Sequence, residues 1–249
     1  MSVSELDAAE SQAAAAGSEA KRAYVQRIFS QIAPRYDLLN HLLSFNVDRA
    51  WRRKAIAALG WEHDPNGVYI DLCAGTLDVS AELARRPGFG GRVIAADFAE
   101  PMLRAGAGKA QPSVVSPVVA DALDLPMADA TASGVIVAFG IRNVADLDHG
   151  LREVRRVLAP GARLVILEFT TPRSRIVRAT YHLYFHHVLP LVGAMVSGHG
   201  TAYRYLPRSV ANFPIEHALA EHLRAAGFSD VEWRTLTFGV AAIHVATTR

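Results

Sequence analysis

The sequence predicts an α/β protein built on a doubly wound, mostly parallel sheet, and three observations carry that expectation. Apolar runs of strand length alternate with helical segments through most of the chain, a Gly-Thr turn follows the first run, and an aspartate closes the second.

Residues 1–22, rich in Ala, Ser and Glu, lack a sustained hydrophobic pattern and are expected to form a disordered tail or a frayed helix, leaving 23–249 as a single domain. Within it, residues 23–60 are expected to form an N-terminal helical lid. Val25, Ile28, Phe29 and Ile32 recur at helical spacing, Pro34 interrupts the helix before Tyr36, and a second helix runs from Asp48 to Leu59 with Gly60 as its stop. Val68 to Leu72 reads as a strand, Cys73 to Thr76 as a tight turn and Asp78 to Arg85 as a helix. Arg92 to Asp97 is a second strand with a helix near Pro101 to Gly106 after it. Ser116 to Ala120, Gly134 to Phe139 and Ala162 to Phe169 are further strands, the last two linked by a helix from Leu147 to Leu158. Residues 173–200 read as an inserted amphipathic helical segment, Ile215 to Ala226 as a helix closed by Gly227, and Val231 to Phe238 with Val240 to Thr247 as a closing hairpin.

Composition narrows the function classes. Of 249 residues, 51% are apolar and 20% charged, which fits a globular chain, and a net charge of +2 makes no electrostatic case for nucleic acid as partner. The one cysteine, Cys73, can form no disulfide within the chain, in keeping with a reducing, cytoplasmic setting. The acidic, weakly apolar start does not read as a secretory signal.

In a doubly wound sheet, ligands sit beyond the carboxyl ends of the strands, so the turn after the first strand faces one. Asp71 leads into that turn, Gly75 allows close backbone approach and Thr76 offers a hydroxyl. Asp97 ends the next strand, where a carboxylate accepts both hydroxyls of a ribose. Asp121-Ala122, after the third strand, can bind an adenine through the carboxylate and the adjacent amide. A nicotinamide cofactor requires three glycines at this turn, and only Gly75 is present at those spacings. S-adenosylmethionine has no pyrophosphate to cradle and does not require the full set.

Several motifs in order resemble the ubiquinone and menaquinone biosynthesis C-methyltransferases, over nearly the whole chain after about residue 22. They are VQRIFSQIAPRYDLLNHLLSFNVDRAWRR (Val25 to Arg53), FGIRNVAD (Phe139 to Asp146), ILEF (Ile166 to Phe169), YRYLPRSVANFP (Tyr203 to Pro214) and FGVAAIHVA (Phe238 to Ala246). The resemblance implies a class I, Rossmann-like methyltransferase fold, S-adenosylmethionine as cofactor bound by Thr76, Asp97, Asp121 and Ala122, and C-methylation of a prenylated quinol. The acceptor is then demethylmenaquinol or the equivalent ubiquinone precursor. Ala138 stands where the family has a serine at the cofactor, and Ala74 and Leu77 stand where glycines are usual.

A quinol ring carbon becomes nucleophilic as the neighbouring hydroxyl loses its proton, so a base is needed. Arg142 and Asn143, just past the fourth strand, are the catalytic candidates the resemblance also indicates. Arginine holds its proton too firmly to be that base, so its expected role is to stabilise the developing phenolate or orient a water, with Asn143 fixing the ring oxygen. Tyr36, with Asp37 on the lid, is placed to hydrogen-bond a quinol oxygen. Asp146 is a second carboxylate on the same loop, and a surface ion pair between it and Arg142 is the competing structural role. His182 and His186 share a helical face but lack an acidic partner, so no metal is expected. Ile176 to Met195, preceded by Arg173 and Arg175, suits a prenyl channel with peripheral contact at the inner face of the membrane, a homodimer interface, or a lid packed on the core. Methylation of another small aromatic or lipid acceptor, and a non-catalytic cofactor-binding subunit, are the rival functions.

Overall fold

The computed structural model describes residues 19–33, 36–37, 44, 46–174, 177–179, 183 and 200–249. The inserted segment expected at residues 173–200, with His182 and His186, lies almost wholly outside them, as do most of residues 1–22.

Seven strands form one sheet in the order β3-β2-β1-β4-β5-β7-β6. They are β1 (Val68–Leu72), β2 (Arg92–Asp97), β3 (Val115–Val119), β4 (Ala132–Ala138), β5 (Leu158–Phe169), β6 (Ser229–Leu236) and β7 (Ala241–Thr247). The first five are mutually parallel, and β7 slots antiparallel between β5 and β6. The order reverses beside β1, with β2 on one flank and β4 on the other, which opens a crevice at the carboxyl ends of these three strands.

Successive strand side chains face opposite ways, and here both faces are buried. Ile70, Leu72, Val135, Val137, Leu164 and Ile166 join one cluster with Leu151 and Val154 of α5 (Leu147–Val157) and Leu219 and Leu223 of α7 (Glu216–Ala225). Their neighbours Tyr69, Ile136, Val165 and Leu167 join the other, with Trp51, Ile56 and Leu59 of α2 (Val47–Leu59) and Val79 and Leu83 of α3 (Asp78–Ala84). Gly60, at φ 72°, closes α2 as its sequence position predicts.

Two helices close over the carboxyl end of the sheet. Tyr24, Val25, Ile28 and Ile32 of α1 (Glu19–Ile32) pack against Tyr205 of α6 (Gly200–Asn212), and Phe29 packs on Met102 of α4 (Glu100–Ala105). Helix α6 was not expected: its residues enter the sequence reading as a motif only, and Pro207 inside it argues against a helix. β5 begins at Leu158, four residues ahead of expectation. Leu158 pairs with Ala132, then Gly161 at φ 76° bends the chain before pairing resumes at Arg163 and Gly134. β4 ends at Ala138 because Phe139 turns away in the left-handed region, at φ 62°. No helix among the described residues is long and apolar enough to cross a membrane.

Candidate active site

The β1–α3 turn is fastened from below and from the side. Asp71, fully buried, sits beneath it, and one carboxylate oxygen accepts hydrogen bonds from the Ser80 amide at 2.9 Å and the Ser80 hydroxyl at 2.6 Å. Burial raises the Asp71 pKa to about 7, against the lowering effect of those hydrogen bonds. Asp71 therefore braces the turn and is not among the residues lining the crevice. Asp97 fastens the side: one oxygen accepts from the Gly75 amide and the other from the Ala99 amide, each at 2.8 Å. Burial pushes its carboxyl up, and the two amides act in the other direction.

Leu77, one of the departures from the family's glycines, adopts φ 67° and is buried. Room for it comes from Gly106, where an added Cβ would lie 2.6 Å from Leu77 Cγ and from the Thr76 carbonyl oxygen. Ala74, by contrast, is not among the residues of positive φ. Gly140 makes a second close approach: a Cβ there would come within 2.2 Å of Cys73 Cβ, so the turns after β1 and β4 touch. Cys73 itself is packed in place, and burial pushes its thiol well above the usual range.

Between these turns lies a slot. Asp97 and Asp121 line it with the small residues Ala96, Ala120, Ala122 and Ala145, and Asn143 and Val144 close its far side. Arg22 reaches in from α1 and pairs with Asp121 at 2.9 Å, while the other Asp121 oxygen accepts from the Leu123 amide at 3.0 Å. Four of the sequence-predicted residues, Asp97, Asp121, Ala122 and Asn143, thus share one cavity. Gly75 and Thr76 do not line it: Gly75 reaches it only through its amide bond to Asp97, and Thr76 is buried with its hydroxyl on Asp37, while the half-buried Ala138 packs with the cluster on the α2 side of the sheet.

The lid comes down on the turn. The Tyr36 ring edge lies 3.9 Å from where a Gly75 Cβ would be and meets Phe29 edge-on at 6.0 Å between centroids. Asp37 accepts hydrogen bonds from the Thr76 hydroxyl and from Lys109, which also holds Asp78 at 2.6 Å.

Arg142 is buried and pairs with Glu168 at 2.7 Å, not with Asp146 as the surface-pair reading has it. Asp146 instead caps α5 by accepting from the His149 amide at 2.9 Å. Arg142 also donates to the Phe139 carbonyl at 2.5 Å and to the Ser209 hydroxyl at 3.3 Å, and lies over the Phe169 ring at 5.7 Å. Burial pushes the Glu168 carboxyl up, with Arg142 opposing. Next to it, the Tyr205 hydroxyl donates to Asn143 Oδ1 at 3.2 Å. Glu168, Ser209 and Tyr205 escaped the sequence reading as site residues, although two of the matching motifs contain them. A charged Glu inside the apolar strand ILEF was the one available signal.

A family model described as the ubiE/COQ5 methyltransferase family matches residues 17–248. The chain belongs to that family. It is therefore a methyltransferase. A demethylmenaquinone methyltransferase of Thermus thermophilus is 50% identical over 220 residues, which is 88% of this chain and 98% of that one. The ubiquinone/menaquinone biosynthesis C-methyltransferase UbiE of Geobacter sulfurreducens is 43% identical over 224 residues, covering 88% and 86% of the two chains. Among solved structures, a SAM-dependent methyltransferase from Thermotoga maritima superposes with a TM-score of 0.64 over 90% of this chain and 99% of its own. At 16% identity, that likeness establishes the class I, Rossmann-like fold.

Proposed function

We propose that the protein transfers a methyl group from S-adenosylmethionine to a ring carbon of a prenylated quinol, either demethylmenaquinol or the corresponding ubiquinone precursor. The observation that carries this reading is the placement of the Asp97 slot directly beside the buried Arg142–Glu168 pair and Asn143, in a chain of this family.

The donor set fits the cofactor. A carboxylate fixed by two amides suits a ribose, and the small residues Ala96, Ala120, Ala122 and Ala145 beside Asp121 suit the flat face of a purine. Gly75 and Thr76 take the amino-acid end. When bound, S-adenosylmethionine supplies an electrophilic methyl on a sulfonium whose sulfur retains the bonding pair as the methyl leaves.

The chain's own work is to orient the acceptor and stabilise its charge. Arg142, held by Glu168 and Phe139, contributes a fixed positive charge to a developing phenolate. Tyr205, donating to Asn143 Oδ1, leaves the Asn143 NH2 group to donate to the ring oxygen. Tyr36 covers the turn, excludes water and hydrogen-bonds a second quinol oxygen. Positioning of this kind contributes several kcal/mol to rate acceleration. The prenyl tail brings the protein to the membrane surface peripherally.

The test is a methyl-transfer assay on paired demethylmenaquinol and demethoxyquinol analogues. Transfer to one of them supports the reading. Cofactor binding without transfer to either removes the quinol assignment and favours a different acceptor or a binding subunit.

A further inference from the structure

The reaction needs a proton acceptor, and most candidate groups near the slot are already engaged. Asp97 and Asp121 use both oxygens on partners within the fold. Asp37 holds Thr76 and Lys109, Asp146 caps α5, and Glu168 is locked to Arg142. The Tyr205 hydroxyl is occupied by Asn143, and burial pushes its pKa up to about 12.

Lys21 is placed differently. It projects from α1 into a cavity of about 250 Å³ that it lines together with Arg142, Tyr205 and Ser209. Val144 and Ala145 line both this cavity and the cofactor slot, so the two adjoin along one stretch of chain. The volume is near the lower bound of small-ligand sites, roughly 300 Å³. Lys21 Nζ donates to the Val144 carbonyl at 2.7 Å, which fixes the amine at the junction.

We infer that Lys21, placed in the cavity beside Arg142 with its amine fixed on the Val144 carbonyl, is the proton acceptor for the quinol hydroxyl. This rests on the quinol reading above. One amine N–H bonds Val144, and the nitrogen lone pair is free to receive the hydroxyl proton. The O–H bond breaks, the proton goes to nitrogen, and the electron pair stays on oxygen. The ring carbon beside it gains the density with which it bonds the methyl, then loses its own proton to solvent as aromaticity returns. The Lys21 ammonium then returns its proton to the phenolate oxygen, so one proton, that of the ring carbon, is released for each methyl transferred.

The surroundings favour the neutral amine. Burial lowers the Lys21 pKa, and Arg142 across the cavity lowers it further. The other titratable groups facing it are Tyr205 from α6, Glu168 behind Arg142, and His222 on α7, whose Nδ1 is 2.6 Å from Asp148. His222 lines the same cavity from the half-exposed side and is the competing base.

Two measurements test the inference. In turnover assays, Lys21→Met and Lys21→Arg should both lose roughly 10²–10⁴-fold in kcat, the range of a lost general base. KM for the cofactor should hold, and ethylamine should restore Lys21→Met in proportion to its unprotonated fraction. Without cofactor, 4-methoxy-1-naphthol bound to the wild type should show naphtholate absorption below the pH at which the free compound ionises. Lys21→Met should lose that signal while keeping its circular dichroism. Wild-type rate and pH profile in Lys21→Arg, or an acidic limb removed by His222→Asn and kept in Lys21→Met, would overturn it. Naphthol ionisation that requires Lys21, in a wild type that methylates no quinol, instead retires the acceptor assignment and leaves Lys21 standing.

Discussion

The Asp97 carboxylate and the Gly75 amide meet at 2.8 Å, so the residue that closes the second strand also shapes the turn after the first. Asp97→Ala therefore loses a ribose ligand and leaves the Gly75 and Ala99 amides without acceptors. A hydrogen bond to a charged group contributes about 1.5–3 kcal/mol, so cofactor affinity should fall about 10- to 150-fold for each ribose hydrogen bond lost. Stability should fall by about 1–3 kcal/mol. Titration calorimetry reads the first and urea unfolding the second. Unchanged cofactor affinity would show that the ribose sits elsewhere.

Glu168→Ala should cost about 3–5 kcal/mol, because it strands the buried Arg142 guanidinium. Turnover should drop with it as Arg142 loses its anchor. Glu168→Gln keeps an acceptor for Arg142 Nη1 and should retain more of both. Equal losses in the two variants, followed by urea unfolding and kcat, would mean that side-chain size matters here and the charge does not.

The Asp71 carboxyl titrates near 7 in the folded protein and near 3.9 in the unfolded chain. Between about pH 4 and pH 7 the folded state holds a proton that the unfolded state has lost, so wild-type stability declines as pH rises through that window. Asp71→Asn preserves an acceptor for Ser80 and has nothing to ionise. Its stability relative to wild type should rise by about 2–4 kcal/mol between pH 4.5 and pH 8, measured by urea unfolding. Parallel pH curves would refute the assignment.

Leu77→Gly sets two effects against each other. It relieves a left-handed leucine, a gain of about 1–2 kcal/mol, and removes a buried side chain, a loss of about 2–5 kcal/mol. The loss is larger, so the variant should be less stable by about 1–3 kcal/mol. Gly106→Ala should destabilise too, by driving a methyl against the Thr76 carbonyl. Thermal unfolding that shows Leu77→Gly stabilised would mean that the leucine contributes strain and little packing.

Local patterns carried most of the fold. The runs Val68–Leu72 and Arg92–Asp97 are apolar because both faces of a parallel strand are buried, and their limits can be read directly in the chain. Asp97, Asp121, Ala122 and Asn143 were legible because strand ends in a doubly wound sheet converge. Partners far apart in sequence were not. Glu168 is 26 residues from Arg142, and Tyr205 is 62 from Asn143, and neither separation leaves a periodic signature. Helix α6 was hidden by Pro207, whose helix-breaking tendency is offset here by packing of Tyr205 and Leu206 on α1.

The most direct measurement follows the methyl carbon itself. Purified protein is incubated with S-adenosylmethionine carrying a ¹³C-labelled methyl and with demethylmenaquinol, and the extracted lipid is examined by carbon NMR. The expected product carries the label as a methyl on a ring carbon, and Asp97→Ala yields little of it. A label found on oxygen, or no labelled quinone from demethylmenaquinol and from the ubiquinone precursor alike in a protein that binds the cofactor, contradicts carbon methylation of a quinol.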